Sequence, residues 1–428
     1  MRQFLLVFLF AILLGDIMLN LNLSFMPGLS LKNAMLYVLF TMLVLEFLLS
    51  DRDMLRETWP VHGAWGILIF YATFTWLAVV LLGLHREYDT AQSFIALKSQ
   101  FADLFLFLLV YLYGPRDAEQ SKRILKWIVG LLVLVNVITL IDFLNIPDLG
   151  IISERRDGRL TGPVQEVNQY GAILIFLIPV TAGLMLGSSG KLRFIYAIGS
   201  AMAVILLGLT VSRGSWVGLI AGGLFTVYLA RDFLRRDAIV KGAVIALFIG
   251  TIAVVAVIAV NPEGFLKKFD FSGADLNSLS SGRVDVWRRL LTMMSYWPVS
   301  FLTGYGWNAY RALIGIYGDP HNTYLLYWFN MGIIGLGLYL FIAIWVVRYS
   351  VGSLRYVSES LKPLVIGFVM GFLSIHVAIF FVAIYTPWLF IWAMTGTVLR
   401  VIADERRRAL AEAAPGRELQ GSLEEQAA

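Results

Sequence analysis

RFIYAIGSAMAVILLGLTVSRGSWVGLIAGGLFTVYLA, residues 193–230, holds two apolar runs, 193–211 and 214–230, parted by a turn that carries one charge, Arg213. A run of ~20 apolar residues is long enough to cross a bilayer core as a helix. Lipid offers backbone groups no hydrogen bonds, so such runs must satisfy their own as helices or closed barrels. Working outward in both directions, the same pattern recurs at about 3–19, 32–49, 63–84, 93–112, 124–146, 170–187, 240–260, 321–346, 363–383 and 385–402. Twelve transmembrane helices are expected, in an all-α polytopic membrane protein. Composition agrees: 59% of the 428 residues are hydrophobic and 15% charged, against about 25% charged in an average protein, and mean hydropathy is +0.76. No dyad alternation suggests a barrel. With no cysteine, disulfide and thiolate chemistry are excluded.

Charge sets the orientation. With the N-terminus inside, 21 of the 34 Lys and Arg residues fall on the cytoplasmic side, as the positive-inside rule requires. Residues 1–15 look like a secretory signal, but no A-x-A-like site follows, so a retained first helix is expected. Both termini are then cytoplasmic, and the one long polar loop, 261–320, faces the periplasm between helices nine and ten. The expected organisation is helices one to nine in 1–260, the loop with its functional elements in 261–320, helices ten to twelve in 321–403 and a charged cytoplasmic tail in 404–428.

The outer segments break the charge rule. Arg155, Arg156 and Arg159 lie in 145–169, and Arg283, Arg288, Arg289 and Arg311 lie in 261–320. The second segment has helical spacing: Arg283, Trp287, Leu290 and Met294 share one face, Ser281 is a candidate N-cap, and Pro298 ends the run. A glycine-rich turn, Gly304-Tyr-Gly306-Trp-Asn, follows. Trp287, Trp297 and Trp307 suit an element at headgroup level.

Cationic side chains gathered at an outer surface call for a strongly anionic ligand, and a lipid-linked diphosphate is the natural candidate. Guanidinium binds phosphate oxygens in bidentate fashion and does not deprotonate. No D-x-D or paired acidic motif occurs in the outer loops, so arginines rather than a metal are expected to neutralise a leaving diphosphate; neither metal nor cofactor is expected. Arg213 stands closest to the hydrocarbon, where a charge is costly and usually functional, and the Gly214 and Ser215 amides open a helix N-terminus suited to phosphate. Arg159 and Arg283 join it as binding candidates, with Arg288, Arg289, Arg155 and Arg156 behind them. His321 opens helix ten, between Pro320 and Asn322. A helix N-terminus favours neutral imidazole, the form that accepts a proton; capping or headgroup contact is the alternative role.

Other features read as structure. Glu46, Asp103, Asn136, Asp142 and His376 are expected to pair locally within the bundle, with a proton path as the alternative. His62 and His85 receive no role. Gly218 and Gly222, and the glycines at 332, 335 and 337, suit close helix packing. No basic patch points to nucleic acid.

Four segments together resemble the O-antigen ligase and polymerase superfamily of bacterial envelopes. Ser212-Arg-Gly-Ser-Trp-Val-Gly218 is similar to its S-R-G-A/S-W pattern. Ser281-Gly-Arg283-Val-Asp-Val-Trp287 with Trp297-Pro298 and Gly304-Tyr-Gly306 resembles its R-x-x-x-W…P…G-x-G run. His321-Asn-Thr-Tyr-Leu325 with Gly332-Ile-Ile-Gly335 is similar to H-N-x-Y-L…G-x-x-G. Arg159-Leu-Thr-Gly162-Pro163…Asn168 resembles the segment before helix six, although Glu166-Val167 replaces a small residue and proline there. The likeness covers residues 155–340. It implies a GT-C-like membrane glycosyltransferase performing inverting transfer at the outer face of the inner membrane, from a polysaccharide on undecaprenyl diphosphate. His321 would be the base, and Arg213 and Arg283 would bind the diphosphate. Arg159, Arg288, Arg289 and Asn322 complete the expected donor site.

Within the superfamily the modest outer loop favours the ligase branch, whose acceptor is a sugar hydroxyl of lipid A–core. Polymerase and protein-oligosaccharyltransferase branches share the donor, and no motif reads the acceptor. A lipid or polysaccharide transporter is the reading of another class, though paired halves and midplane helix breaks are not evident in the sequence.

Overall fold

The computed structural model of the chain describes residues 1–19, 21, 23–49, 55–144, 155–156, 159–260, 262, 266, 282–314, 320–385 and 387–413. Each expected span contains a helix among the described residues. In chain order the helices are α1 (Arg2–Ile17), α2 (Leu31–Leu49), α3 (Trp59–Leu82), α4 (Thr90–Leu97), α5 (Asp103–Tyr113), α6 (Ala118–Phe143), α7 (Val167–Leu186), α8 (Gly190–Thr210), α9 (Arg213–Leu229), α10 (Arg236–Val260), α11 (Arg283–Tyr296), α12 (Ser300–Thr303), α13 (Ala309–Leu313), α14 (Thr323–Ser353), α15 (Lys362–Ala378) and α16 (Pro387–Glu412). Among the described residues, seven elements are long and apolar enough to cross a membrane: α2, Arg56–Leu82, Thr90–Tyr113, α6, α7, α8 and α14. Shorter or less apolar helices fill the remaining expected spans, in a polytopic all-α membrane protein.

Sequence chemistry sets the helix ends. Asp89, Asp117, Glu166 and Asn322 each accept a backbone N–H two or three residues into α4, α6, α7 and α14, a cap that contributes about 1 kcal/mol. Gly83 closes α3 in the left-handed region, φ 58°. The expected cap Ser281 lies outside the described residues, and the N-cap position of α11 is Gly282, φ 82°. Helix eleven, expected to reach 383, stops at Ala378, and α16 continues ten residues past the expected end at 402 as a charged extension.

The bundle closes through small residues. α15 lies against α7 and α9. A Cβ at Gly183 or Gly367 would strike the carbonyl of Pro363 or Pro179 across the α7–α15 seam, and one at Gly218 or Gly222 would strike the Ser374 backbone across α9–α15. Helices that cannot gain a hydrophobic driving force from lipid associate by such close approach. Gly396 does the same between α16 and α5. Gly337, expected in this role, faces open space.

Two departures from regular helix shape the end of the bundle that carries α11 to α13, here the loop end. Between α4 and α5, residues Lys98–Ala102 form a π-helical turn, the kind of irregularity that often accompanies function. Lys98 pairs there with buried Asp103 at 2.7 Å, and Asp103 also accepts from Asn33 and Tyr37. The second is Gly332 inside α14, with φ 63° and ψ −170°. The break frees the carbonyls of Phe329 and Asn330, which accept the N–H groups of Tyr305 at 2.8 Å and Gly306 at 3.0 Å. A Cβ on Gly304 would strike the Asn330–Met331 backbone, and one on Gly332 would strike Leu302 and Thr303. The spaced glycines of both motifs are the two faces of one backbone contact.

Candidate active site at the loop end

Three chain segments meet at the α15–α16 connection, residues 379–385. Thr323 donates its backbone N–H to the Ile379 carbonyl at 2.9 Å and its hydroxyl to the Val382 carbonyl at 3.2 Å. Phe380 meets the Trp287 ring edge-on at 5.8 Å. Phe381 covers Gly214, where a Cβ would lie 2.8 Å from the phenylalanine's own Cβ. One turn therefore touches the residue after Arg213, the helix that begins with Arg283, and the helix that follows His321.

His321 sits in the left-handed region, φ 47°, an uncommon conformation for a non-glycine residue that persists only where its surroundings impose it. The surroundings are visible on both sides. Trp287 Nε1 donates to the Pro320 carbonyl at 2.6 Å. Asn322 is buried completely and caps α14, accepting the Leu325 N–H at 3.0 Å, while its Nδ2 has no hydrogen-bond partner among the described residues. His321 itself is half-buried at this junction.

Arg213 is the first residue of α9 and half-buried. The turn before it is strained: Val211 has φ 48°, a genuine outlier for a β-branched residue. Arg159, on the short strand β2 (Arg159–Leu160) paired with β1 (Arg155–Arg156), holds that turn. Its Nε donates to the Thr210 carbonyl at 2.9 Å and its NH2 to the Val211 carbonyl at 3.2 Å. A cation on the orphan carbonyls of a helix C-terminus is favourable, and it sets the Arg159 guanidinium on the turn that leads into Arg213. From the other side, Ser212 donates to Asn168 Oδ1 at 3.0 Å and is 3.0 Å from Ser215 Oγ. Asn168 donates to Glu166 Oε1 at 3.0 Å, and Glu166 Oε2 accepts the Gln169 N–H. Glu166, the departure from the motif, thus caps α7 and anchors the Arg213 turn.

Arg283 opens α11 and is half-buried; Val286, Leu290 and Met294 form the helix's buried face. Leu290 and Met294 fall on the expected side, and the arc turns from Trp287 toward Val286. Arg288 and Arg289 are exposed, Arg288 within 3.5 Å of Asp285. For Arg155 and Arg156 only the backbone is described.

The intramembrane polar groups pair locally. Glu46 meets Arg2 at 2.6 Å, and Asn136 accepts from Tyr170 at 2.9 Å. His376 Nδ1 lies 2.7 Å from the Phe372 carbonyl, with Tyr339 OH 3.2 Å from its Nε2. Sequence reasoning missed His85, whose Nε2 is 2.8 Å from the Tyr305 carbonyl, and Tyr88, which donates to the Trp307 carbonyl at 2.5 Å. A histidine and a tyrosine in a short interhelical connection carry no periodic signal, so nothing in the sequence marked them.

The family model described as O-Antigen ligase matches residues 198–340. Among curated proteins, the chain is similar to the O-antigen ligase of Salmonella typhimurium, 22% identical over 196 residues that cover 42% of this chain and 46% of that protein. It is also similar to an uncharacterized protein of Haemophilus influenzae, 21% identical over 211 residues covering 45% of this chain and 52% of that protein. The chain spans about half the length of the curated relatives it matches. Residues 198–340, the stretch that matches the O-antigen ligase family model, include Arg213, Arg283 and His321.

Proposed function

We propose that the loop-end cluster transfers a polysaccharide from undecaprenyl diphosphate to a sugar hydroxyl of lipid A–core, at the periplasmic face of the bacterial inner membrane. His321 accepts the proton of the acceptor hydroxyl. The freed oxygen attacks the anomeric carbon with inversion, the bond from that carbon to the diphosphate oxygen breaks, and the diphosphate leaves on its isoprenoid as an anion. Arg213, Arg283 and Arg159 hold that anion, Asn322 seats the histidine turn and contributes to the donor site, and Arg288 and Arg289 extend the cationic surface outward. The observation that carries this reading is the convergence of the Arg213, Arg283 and His321 segments on residues 379–385. Preorganised donors aimed at developing charge each contribute about 3–4 kcal/mol to a barrier.

The test uses purified protein, undecaprenyl-diphosphate-linked glycan, and lipid A–core, free donor chain and a pilin-like protein as competing acceptors. Glycan appearing on lipid A–core, unchanged under saturating chelator and abolished by His321→Ala in a protein that still inserts and folds, is the expected result. Exclusive transfer to the donor chain assigns a polymerase, and to protein an oligosaccharyltransferase. Movement of lipid-linked glycan without a new bond assigns a transporter.

A further inference from the structure

The connection between α3 and α4, residues 83–89, lies outside the motifs described above, yet it holds the turn on which their placement depends. His85 Nε2 is 2.8 Å from the Tyr305 carbonyl, and because a carbonyl only accepts, that nitrogen carries a proton and donates. Tyr88 donates to the Trp307 carbonyl at 2.5 Å. Burial pushes its phenol up to about 12, so it remains a donor at neutral pH. Asn308 reaches Ser93 Oγ at 3.1 Å, and the Phe101 ring, raised by the π-helical turn, meets Trp307 edge-on at 4.6 Å. Gly306 lies against Val79 of α3. The stretch from Tyr305 to Asn308 is thus gripped on one side by α3, α4 and their connection, and on the other by the broken strand of carbonyls in α14.

The grip is transmitted. The Tyr305 hydroxyl donates to the Met293 carbonyl of α11 at 2.6 Å, and Trp297 meets the Tyr305 ring at 5.4 Å. α11 then carries Trp287, which donates to the Pro320 carbonyl beside His321. We propose that His85 and Tyr88 are positioning residues for the transfer reaction, setting the seat of α11 and through it the placement of Arg283 and His321. This rests on the function proposed above. Each residue supplies a single N–H or O–H to a carbonyl in a buried turn. Loss of the donor leaves that carbonyl unsatisfied and lets the turn shift, and small misplacements at a reacting centre lower rate steeply.

The experiment compares His85→Ala, His85→Gln and Tyr88→Phe in the full-length protein in nanodiscs. Glutamine places its amide N–H near the position of Nε2. The absence of native cysteine allows a second readout independent of activity: nitroxides on Ser295→Cys and Ile344→Cys report the distance from α11 to α14. Expected are falls of about tenfold or more in kcat for His85→Ala and Tyr88→Phe, with KM for the lipid-linked donor within about twofold, and recovery to within about threefold of the parent in His85→Gln. The label distances should broaden in His85→Ala and return to the parental distribution in His85→Gln. Parental kcat and label distances in His85→Ala would overturn the proposal, as would His85→Gln behaving like His85→Ala. If the parent transfers no glycan, the proposed function fails while the label distances still decide the positioning role.

Discussion

The indole N–H of Trp287 and the carbonyl of Pro320 lie 2.6 Å apart, joining the helix headed by Arg283 to the residue just before His321. Trp287→Phe keeps the ring contact with Phe380 and removes only the donor. We expect transfer to fall about tenfold, with little change in melting temperature. Initial rates and thermal unfolding measured on the same preparation check this; a parental rate would mean that the bond does not orient His321.

Burial separates the arginines of α11. Arg283 is half-buried at the site, whereas Arg288 and Arg289 are exposed. Arg283→Lys keeps the charge but loses the planar fork, and should lower kcat/KM about a hundredfold. Arg288→Ala and Arg289→Ala should each stay within about threefold of the parent, since exposed ion pairs contribute little. Steady-state kinetics on all three variants would reveal a reversed order, which would place the diphosphate on the other face of α11.

The Gly304–Gly332 contact predicts a stability effect. Alanine at Gly332 would meet the Leu302 backbone and hold a positive φ of 63°. A loss of about 3 kcal/mol is expected, read as a lower unfolding midpoint in detergent. Alanine at Gly337, which faces open space, should leave the midpoint unchanged or slightly raised.

Glu166 provides a sharper contrast. Glu166→Ala removes the α7 cap, at a cost of about 1 kcal/mol, and releases Asn168 from the Ser212 turn. Glu166→Gln keeps one oxygen acceptor. Rate loss in the alanine variant and retention in the glutamine variant would support anchoring of Arg213; equal loss in both would instead indicate that both carboxylate oxygens, or the charge they carry, are required.

The helices were legible because lipid imposes one rule on every span, and apolar length reports it directly. Even so, the ends of α15 and α16 were misjudged, because a charged helix such as the Arg406–Arg408 stretch continues past the apolar run without any change in period. The motif residues were legible as chemistry but not as geometry. Gly304 and Gly332 are 28 positions apart, and nothing in either segment says that their backbones touch. His85 escaped for the related reason that its partner is a backbone carbonyl, which has no residue identity to match.

Residues 379–385 follow Gly214, Trp287 and Thr323 along the chain, yet all three rest on them. Until α15 has threaded between α7 and α9, the earlier segments have no common surface to meet on. The order of synthesis therefore puts the gathering of these segments after α15, whichever helices form first.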